Sequence, residues 1–185
     1  MAIPDRSTAR RLLSEQGLPD GVVVHSTGVA RVAMAAAGLV AEARIPIDGA
    51  LVEAAALLHD IDKVEIRRTG GEHGIVGARR LEALGYEELA MPVASHPITA
   101  LLDDDRFPIG WPSVLVAVAD RHVAQGFMTI DERLDDMKQR HPEHAESIES
   151  ARRPAHALEE ELAEATGLSV DALVERLRAA WEAGA

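Results

Sequence analysis

The stretch from Ala50 to Lys63 constrains the fold of this chain most, because an apolar run ends there in a group of charged residues. It reads Ala-Leu-Val-Glu-Ala-Ala-Ala-Leu-Leu-His-Asp-Ile-Asp-Lys. Only Glu53 is polar before the run ends, so a helix here has no broad wet face and is expected in the middle of a domain. An imidazole, two carboxylates and an ammonium are costly to bury unless they are paired or bind a metal. The pattern predicts a core helix that presents His59 and Asp60 to one ion.

The composition favours an all-α protein and excludes several kinds of site and partner. Aromatic residues make up 3% of the 185 residues, whereas Ala, Leu and Val dominate, which suits close-packed helices. The chain has no cysteine, so disulfides and thiolate metal sites are excluded, and His, Asp and Glu remain as strong ligands. The net charge of −12 argues against a nucleic-acid polymer as partner. A nucleotide can still bind where metals neutralise its phosphates.

The length predicts one domain of ordinary size over residues 1–142, followed by a helical hairpin over residues 143–185. Apolar residues four apart on both sides of the turn Thr166-Gly-Leu-Ser169 indicate the hairpin. Its apolar side is expected to pack on the main domain or on a partner subunit, which leaves a homodimer open. No apolar run of about 18 residues and no signal-peptide order are present, so we expect no membrane partner and a cytoplasmic location.

Turn and cap residues predict the other helices. Helices are expected over 6–16, about 20–43, from Asp48 to Asp60, 72–85, 87–95, 112–120 and 129–140. Asp20 and Asp48 are the predicted N-caps, and Gly85 is predicted just past the end of its helix. Gly74 and Gly77, near His73, predict a place where another backbone approaches closely. No strand is predicted.

Polar residues near helix ends recur along the chain in one order. They are His25, His59, Asp60, His73, His96 and Asp120. This order, with Lys63 three residues after Asp60, resembles the HD-domain metal-dependent phosphohydrolases over about residues 20–130. The most specific segments are Ala55-Ala-Leu-Leu-His-Asp-Ile-Asp-Lys63, Glu72-His-Gly-Ile-Val-Gly-Ala78 and Val118-Ala-Asp120. The second segment is similar to that of the HD-domain proteins that cleave dinucleoside polyphosphates.

The resemblance implies an HD-domain helical bundle, with five or more core helices around one or two divalent ions. The residues matched to a first metal are His25, His59, Asp60 and Asp120. Asp60 would bridge to a second metal, which His73 and His96 match. Imidazole and carboxylate ligands suit iron, manganese or zinc, with magnesium as an alternative.

The resemblance also implies how such a centre would act. A metal-bound hydroxide would be the nucleophile. Asp60 and Lys63 are the catalytic candidates, and Lys63 would hold a phosphate oxygen. His122 joins Lys63 among the substrate-binding candidates, although its position on the helix, about 200° from Asp120, favours packing.

The chain departs from the dinucleotide-cleaving relatives after the fourth histidine. It has Ser95-His-Pro-Ile98 and then the acidic loop Asp103-Asp-Asp105, where those relatives have Thr and Gly soon after the His. These differences lie where substrate would be selected. The resemblance to these relatives therefore supports the metal centre more strongly than it supports their substrate.

Three functions stay open at this point. The leading hypothesis is a phosphohydrolase that cleaves a phosphomonoester or phosphodiester of a nucleotide or a similar small metabolite. A second is a di-iron HD-domain oxygenase that activates O₂ on a small organic substrate with the same ligand types. A third is a non-catalytic, metal-stabilised module that binds a nucleotide, or a helical partner through its hairpin.

Overall fold

Residues 3–184 are described by a computed structural model, and they form an all-α protein. The helices are α1 (Arg6–Glu15), α2 (Asp20–Glu42), α3 (Gly49–Leu58), α4 (Lys63–Thr69), α5 (Ile75–Ala83), α6 (Ala90–Ser95), α7 (Trp111–His122), α8 (Ile130–Arg140), α9 (Ala145–Ser150), α10 (Arg152–Thr166) and α11 (Val170–Glu182). Short 3₁₀ turns lie at Glu87–Leu89, Ile98–Leu102 and Pro142–His144. The predicted fold class is confirmed.

Helices α2, α3 and α7 form the centre of the core. Helix α3 packs against both α2 and α7, and its residues from Ala54 to Leu58 are buried, as predicted. Every residue of α7 from Ser113 to His122 is buried. Each buried aliphatic side chain contributes about 1.5–3 kcal/mol. The polar residues at the ends of α3 and α7 are thereby held inside the protein.

Helix α2 is the one helix within residues 3–184 that is long and apolar enough to cross a membrane by length and composition. Its mean hydropathy is 1.4 over the tested window, although we expected no such segment. Its buried side, which includes Val29, Val32 and Val40, packs in the core against α3, α7 and α11. A central core helix needs the same composition as a membrane span.

The C-terminal hairpin of α10 and α11 packs on the rest of the same chain. Its turn contains Gly167 with φ 68°, a left-handed conformation that favours glycine. The apolar side buries Leu158, Leu162, Leu173 and Leu177, and the two helices contact α2, α7 and α8. The hairpin therefore covers part of the main domain. The homodimer and the cytoplasmic location stay predictions.

Local signals placed most helix ends correctly. The Asp48 side chain accepts a hydrogen bond from the Leu51 amide at 3.1 Å, which is the predicted N-cap. Thr129 and Glu132 form a reciprocal capping box at the start of α8. Gly85 has the positive φ of 83° expected just past a helix end.

The starts of two helices and the presence of a third helix differ most from the predictions. Asp20 is the first residue of α2 rather than its N-cap, because Pro19 occupies the cap position. Helix α5 begins at Ile75 and not at residue 72, since Gly74 has φ 83° and interrupts the helical conformation. Helix α4 was not predicted.

Candidate metal centre

The structure brings the six predicted ligands together from five parts of the fold. Helix α2 supplies His25, the turn after α3 supplies His59 and Asp60, and α7 supplies Asp120. The remaining two come from the turn before α5 and from the end of α6, at His73 and His96. We call these six residues the ligand cluster. Four of them, His59, Asp60, His96 and Asp120, are buried.

A first group of donor atoms gathers around His25. Its Nε2 atom lies 3.2 Å from His59 Nε2 and 3.1 Å from Asp120 Oδ1. Asp60 Oδ2 lies 3.4 Å from His59 Nε2 and 3.7 Å from His25 Nε2. Ligand atoms that each lie about 2.1 Å from one ion are separated by about 3.0–3.4 Å. The spacing of this group therefore suits a single ion.

A second group of donor atoms uses the other oxygen of Asp60. Asp60 Oδ1 lies 3.3 Å from His73 Nε2 and 3.7 Å from His96 Nε2. The two imidazole Nε2 atoms are 3.1 Å apart. Asp60 thus points one oxygen at each group, which is the arrangement of a bridging carboxylate.

Hydrogen bonds at the far side of three imidazoles fix which nitrogen faces the cluster. Each Nδ1 atom donates to an oxygen that can only accept, and so each Nε2 atom keeps a lone pair unless it binds a proton. The pairs are His59 Nδ1 with Ala56 O at 2.7 Å, His96 Nδ1 with Val93 O at 2.6 Å, and His73 Nδ1 with Asp62 Oδ1 at 2.8 Å. Lone pairs that converge at about 3 Å need a cation between them. The donor set therefore fits divalent metal ions.

The two carboxylates of the cluster stay ionised. Burial alone would raise the pKa of Asp60, but the charges of His59 and Lys63 hold it well below its usual value. Burial acts in the same direction on Asp120, where the Arg121 guanidinium holds the pKa well below its usual value. Two buried anions favour a bound cation.

The imidazoles differ in how they hold protons. Burial lowers the pKa of His96 to about 4, so this side chain is a neutral ligand. Burial also opposes protonation of His73, but hydrogen bonds with Asp60 and Asp62 raise its pKa to about 9. A metal ion at the second group therefore competes with a proton on His73.

Asp62 bonds to His73 and so orients a side chain of the second group, a role that sequence reasoning missed. Besides His73, its fully buried side chain accepts hydrogen bonds from the amides of Gly74 at 2.8 Å and Gly77 at 2.9 Å. A Cβ atom on Gly74 would lie 2.8 Å from a Pro97 side-chain atom. The predicted close approach beside His73 is thus present. The signal for Asp62 was its position directly after a buried helix.

Arg121 is a second residue that sequence reasoning missed. It is buried and donates hydrogen bonds to the Asp120 side chain and to the backbone carbonyl of His96. A guanidinium that bonds to both residues fixes them relative to each other. The signal was a charged residue directly after Asp120, at the end of a helix that is apolar from Val114 to Ala119.

His122 does not join the cluster, which corrects its prediction as a substrate-binding residue. It is fully buried, and its Nδ1 atom donates to the Met128 carbonyl at 2.7 Å. Its Nε2 atom lies 2.9 Å from Glu159 Oε1, and its ring stacks on Phe127. The helical rotation from Asp120 turns this side chain toward α10. His122 therefore joins α7 to its neighbours.

A cleft of about 400 Å³ reaches the cluster at His25 and Asp60. Lys63 also lines the cleft, with Nζ 3.2 Å from Asp60 Oδ2 and about a third of its side chain exposed. The cleft is also lined by Arg67 of α4 and by residues of α8. A small ligand in this cleft would contact the predicted catalytic pair directly.

The family comparison agrees with this geometry. A family model of the HD domain matches residues 22–182, a span that holds all six residues of the cluster. The chain therefore belongs to the HD-domain family, in which divalent metal binding and metal-dependent phosphohydrolase-type chemistry are general. The match also covers α10 and α11, so the domain boundary at residue 142 stays a prediction.

One individual protein is also similar to part of this chain. An uncharacterized protein of Methanocaldococcus jannaschii, MJ0778, is 33% identical to this chain over 94 residues. The matched part is 50% of this chain and 54% of the relative, so the chain matches about half the length of that protein. No solved structure matches the chain.

Proposed function

We propose that the chain is a metal-dependent phosphohydrolase, which cleaves a phosphomonoester or phosphodiester of a nucleotide or a similar small metabolite. The observation that carries this proposal is the position of Asp60. Its two oxygens face different donor groups, and Lys63 lies 3.2 Å from one of them at the cleft. A shared carboxylate beside a lysine ammonium is suited to activating water next to a phosphate.

The ligand cluster would hold the metal ions, which supply chemistry that the side chains alone cannot. Divalent ions, when bound, lower the pKa of water and polarise a phosphoryl oxygen. His25, His59 and Asp120 would hold one ion, His73 and His96 the other, and Asp60 both. Iron, manganese or zinc is the proposed metal, because imidazole and carboxylate donors predominate.

Lys63 acts on the substrate side of the cluster. Its ammonium lies 3.2 Å from Asp60 Oδ2, and Lys63 lines the cleft. There it binds a phosphoryl oxygen and stabilises the negative charge that grows on the phosphate during the reaction. An ammonium does this without fixed bidentate geometry.

The charge of the cleft supports a phosphate substrate over a neutral organic one. Besides Lys63, the cleft is lined by Arg67, Arg133 and Arg140, although the chain as a whole carries −12. Cations gathered in one cleft concentrate an anionic substrate there. This observation favours the hydrolase over the di-iron oxygenase.

The test is a measurement of metal content and phosphate release on anaerobically purified protein. Elemental analysis should give about two metals per chain for the wild type and about one or fewer for His73→Ala. His59→Ala should lose metal from the first group. Both variants should lose phosphate release from generic phosphoesters.

His141→Ala is the matched control, because His141 is about half exposed and contacts only Glu143 among charged groups. It should keep the metal content and activity of the wild type. Phosphate release without O₂ would exclude the oxygenase. Wild-type protein that takes up no metal under any loading condition would overturn the proposal, and melting shifts with nucleotides but no product would favour the non-catalytic module.

A further inference from the structure

The cleft has two basic walls, which come from different helices. Lys63 and Arg67 are four residues apart on α4, so they lie on one face of that helix. Arg133, Asp136 and Arg140 repeat at spacings of three and four on α8 and also share a face. All five side chains line the cleft. The proposed reaction gives Lys63 a role but gives none to the three arginines.

Asp136 orients the two arginines of α8. Its Oδ2 atom accepts hydrogen bonds from Arg133 Nη1 at 3.2 Å and from Arg140 Nη2 and Nε at 2.7 and 3.0 Å. One carboxylate neutralises only one of the two positive charges. The pair therefore keeps a net positive charge in a fixed orientation toward the cleft.

Arg133 also has a donor without a partner. Its side chain is only 12% exposed, and its buried Nε atom has no hydrogen-bond partner within residues 3–184. A buried charged donor without a partner is unfavourable.

Arg67, on the opposite wall, is available for a ligand. Across the described residues 3–184 its exposed side chain makes no hydrogen bond or ion pair. It lies about 6 Å along the helix axis from Lys63. A single phosphoryl group held by Lys63 at the cluster would leave Arg67 and the α8 pair for other parts of the substrate.

We propose that Arg67, Arg133 and Arg140 form a second anion subsite, which binds a phosphate group other than the one that is cleaved. The inference rests on the proposed function and narrows its substrate to small metabolites with at least two phosphate groups. Guanidinium groups suit this role because they bind phosphate oxygens bidentately. The cleft volume of about 400 Å³ lies in the range of small-molecule sites, which is about 300–1,000 Å³.

The test compares two probes that differ by one phosphate group, adenosine 5′-monophosphate and adenosine 3′,5′-bisphosphate. Titration calorimetry on the metal-loaded wild type should show binding of the bisphosphate tighter by about tenfold or more, the gain expected from one charge-assisted contact. The double variant Arg67→Gln/Arg133→Gln should lose this preference. Equal binding of both probes by the wild type would overturn the subsite.

Arg68→Gln is the matched control. Arg68 is the exposed neighbour of Arg67 on α4 and does not line the cleft, so its variant should keep the preference. Arg67→Gln alone provides a second test, since Arg67 is exposed and its loss leaves the packing of Arg133 intact. A preference that persists in both Arg67 variants would also overturn the subsite.

Product analysis after each titration separates the two proposals. Binding selectivity that depends on the arginines, with no phosphate released from either probe, would retain the subsite and reject the phosphohydrolase. Phosphate release without any preference for the bisphosphate would do the reverse.

Discussion

At the scale of single residues, Asp62 connects the second donor group to the backbone. Asp62→Asn keeps the size of the side chain, but its amide group would face amide donors from Gly74 or Gly77. In the other orientation of the Asn amide, His73 would instead lose the acceptor that fixes its Nδ1 hydrogen. We expect metal affinity at the second group to fall about 10- to 100-fold, as is usual when such a partner is lost.

Chelator competition followed by elemental analysis measures this change. The first group does not contact Asp62, so one metal per chain should remain tightly bound in Asp62→Asn. Asp104→Asn, in the exposed acidic loop, is the control and should behave as the wild type. Unchanged affinity in Asp62→Asn would show that His73 does not need this partner.

The residue scale also shows what the sequence could predict about the site. The order of His and Asp residues was enough to name the six side chains that the structure brings together, because each lies near a helix end or in the turn beside one. Asp62, Arg121 and the cleft arginines were missed, since the contacts with His73, with His96 and with the cleft that give them a role involve other segments of the chain. His122 was assigned wrongly because its direction depends on helical rotation and on Glu159, 37 residues away in α10.

At the scale of elements, the contact between α2 and α11 depends on the absence of a side chain at Gly28. A Cβ atom there would overlap ring atoms of Trp181 and lie 3.2 Å from Val123 Cγ1. Gly28→Ala should therefore lower the free energy of unfolding by about 1–3 kcal/mol, the usual cost of overpacking. Urea denaturation measures this change.

Gly38→Ala is the matched control on the same helix. Gly38 is exposed, and a Cβ atom there would meet nothing within 4 Å. Alanine should raise the free energy of unfolding by about 0.5–1 kcal/mol through helix propensity. Equal effects of the two substitutions would mean that Trp181 does not pack as described.

Arg152 connects α8, α9 and α10 through exposed ion pairs. It donates to Glu149 at 2.9 Å and Asp135 at 2.8 Å, and it also pairs with Asp131. Hydrogen bonds from Arg152, and then from Lys138, lower the pKa of Glu149 to about 2. The stability from this lowered pKa is present above the usual value of about 4.5 and is lost as the pH falls toward 2.

Arg152→Gln should therefore lower the urea midpoint slightly at pH 7, and its difference from the wild type should shrink between pH 4.5 and 2. Solvent screening keeps the effect small at such exposed groups. Arg153→Gln, at the exposed neighbouring position, should match the wild type throughout. A difference that grows with acid would contradict the assigned pKa.

Element boundaries were predictable where a side chain or a glycine marks them. Asp48, Thr129 and Gly85 marked ends that the structure confirms. Helix α4 has only seven residues and no side-chain cap, so its sequence carries little periodicity to detect. The packing of α11 on α2 could not be predicted, because it depends on the contact at Gly28, which no local sequence pattern reveals.

At the scale of the whole molecule, the ligand cluster joins segments that are otherwise separate in the chain. A metal ion that binds only the folded form stabilises it by about 2.7 kcal/mol at 100 times its Kd. For a domain of this size, that is a rise in Tm of roughly 5–10 °C. Thermal melts of protein dialysed against chelator, with and without added metal, measure the rise.

His59→Ala should reduce the metal-dependent rise, because it removes a ligand of the first group only, and His141→Ala should keep the whole rise. If the Tm of the wild type is the same with and without added metal, the cluster binds no ion in the folded state. The first two segments of the cluster, at His25 and His59, lie on helices that pack directly against each other. Metal binding should therefore also stabilise the packing of these helices in the centre of the core.

The spread of the ligands along the chain also affects how the protein acquires metal during its synthesis. Asp120 leaves the ribosome roughly 5–20 s after His25 at ordinary elongation rates, and it ends α7, which forms one wall of the core. Until then the first group lacks a ligand, and the scaffold for both groups is incomplete. An ion at the first group would therefore find all four of its ligands only after α7 has been synthesised.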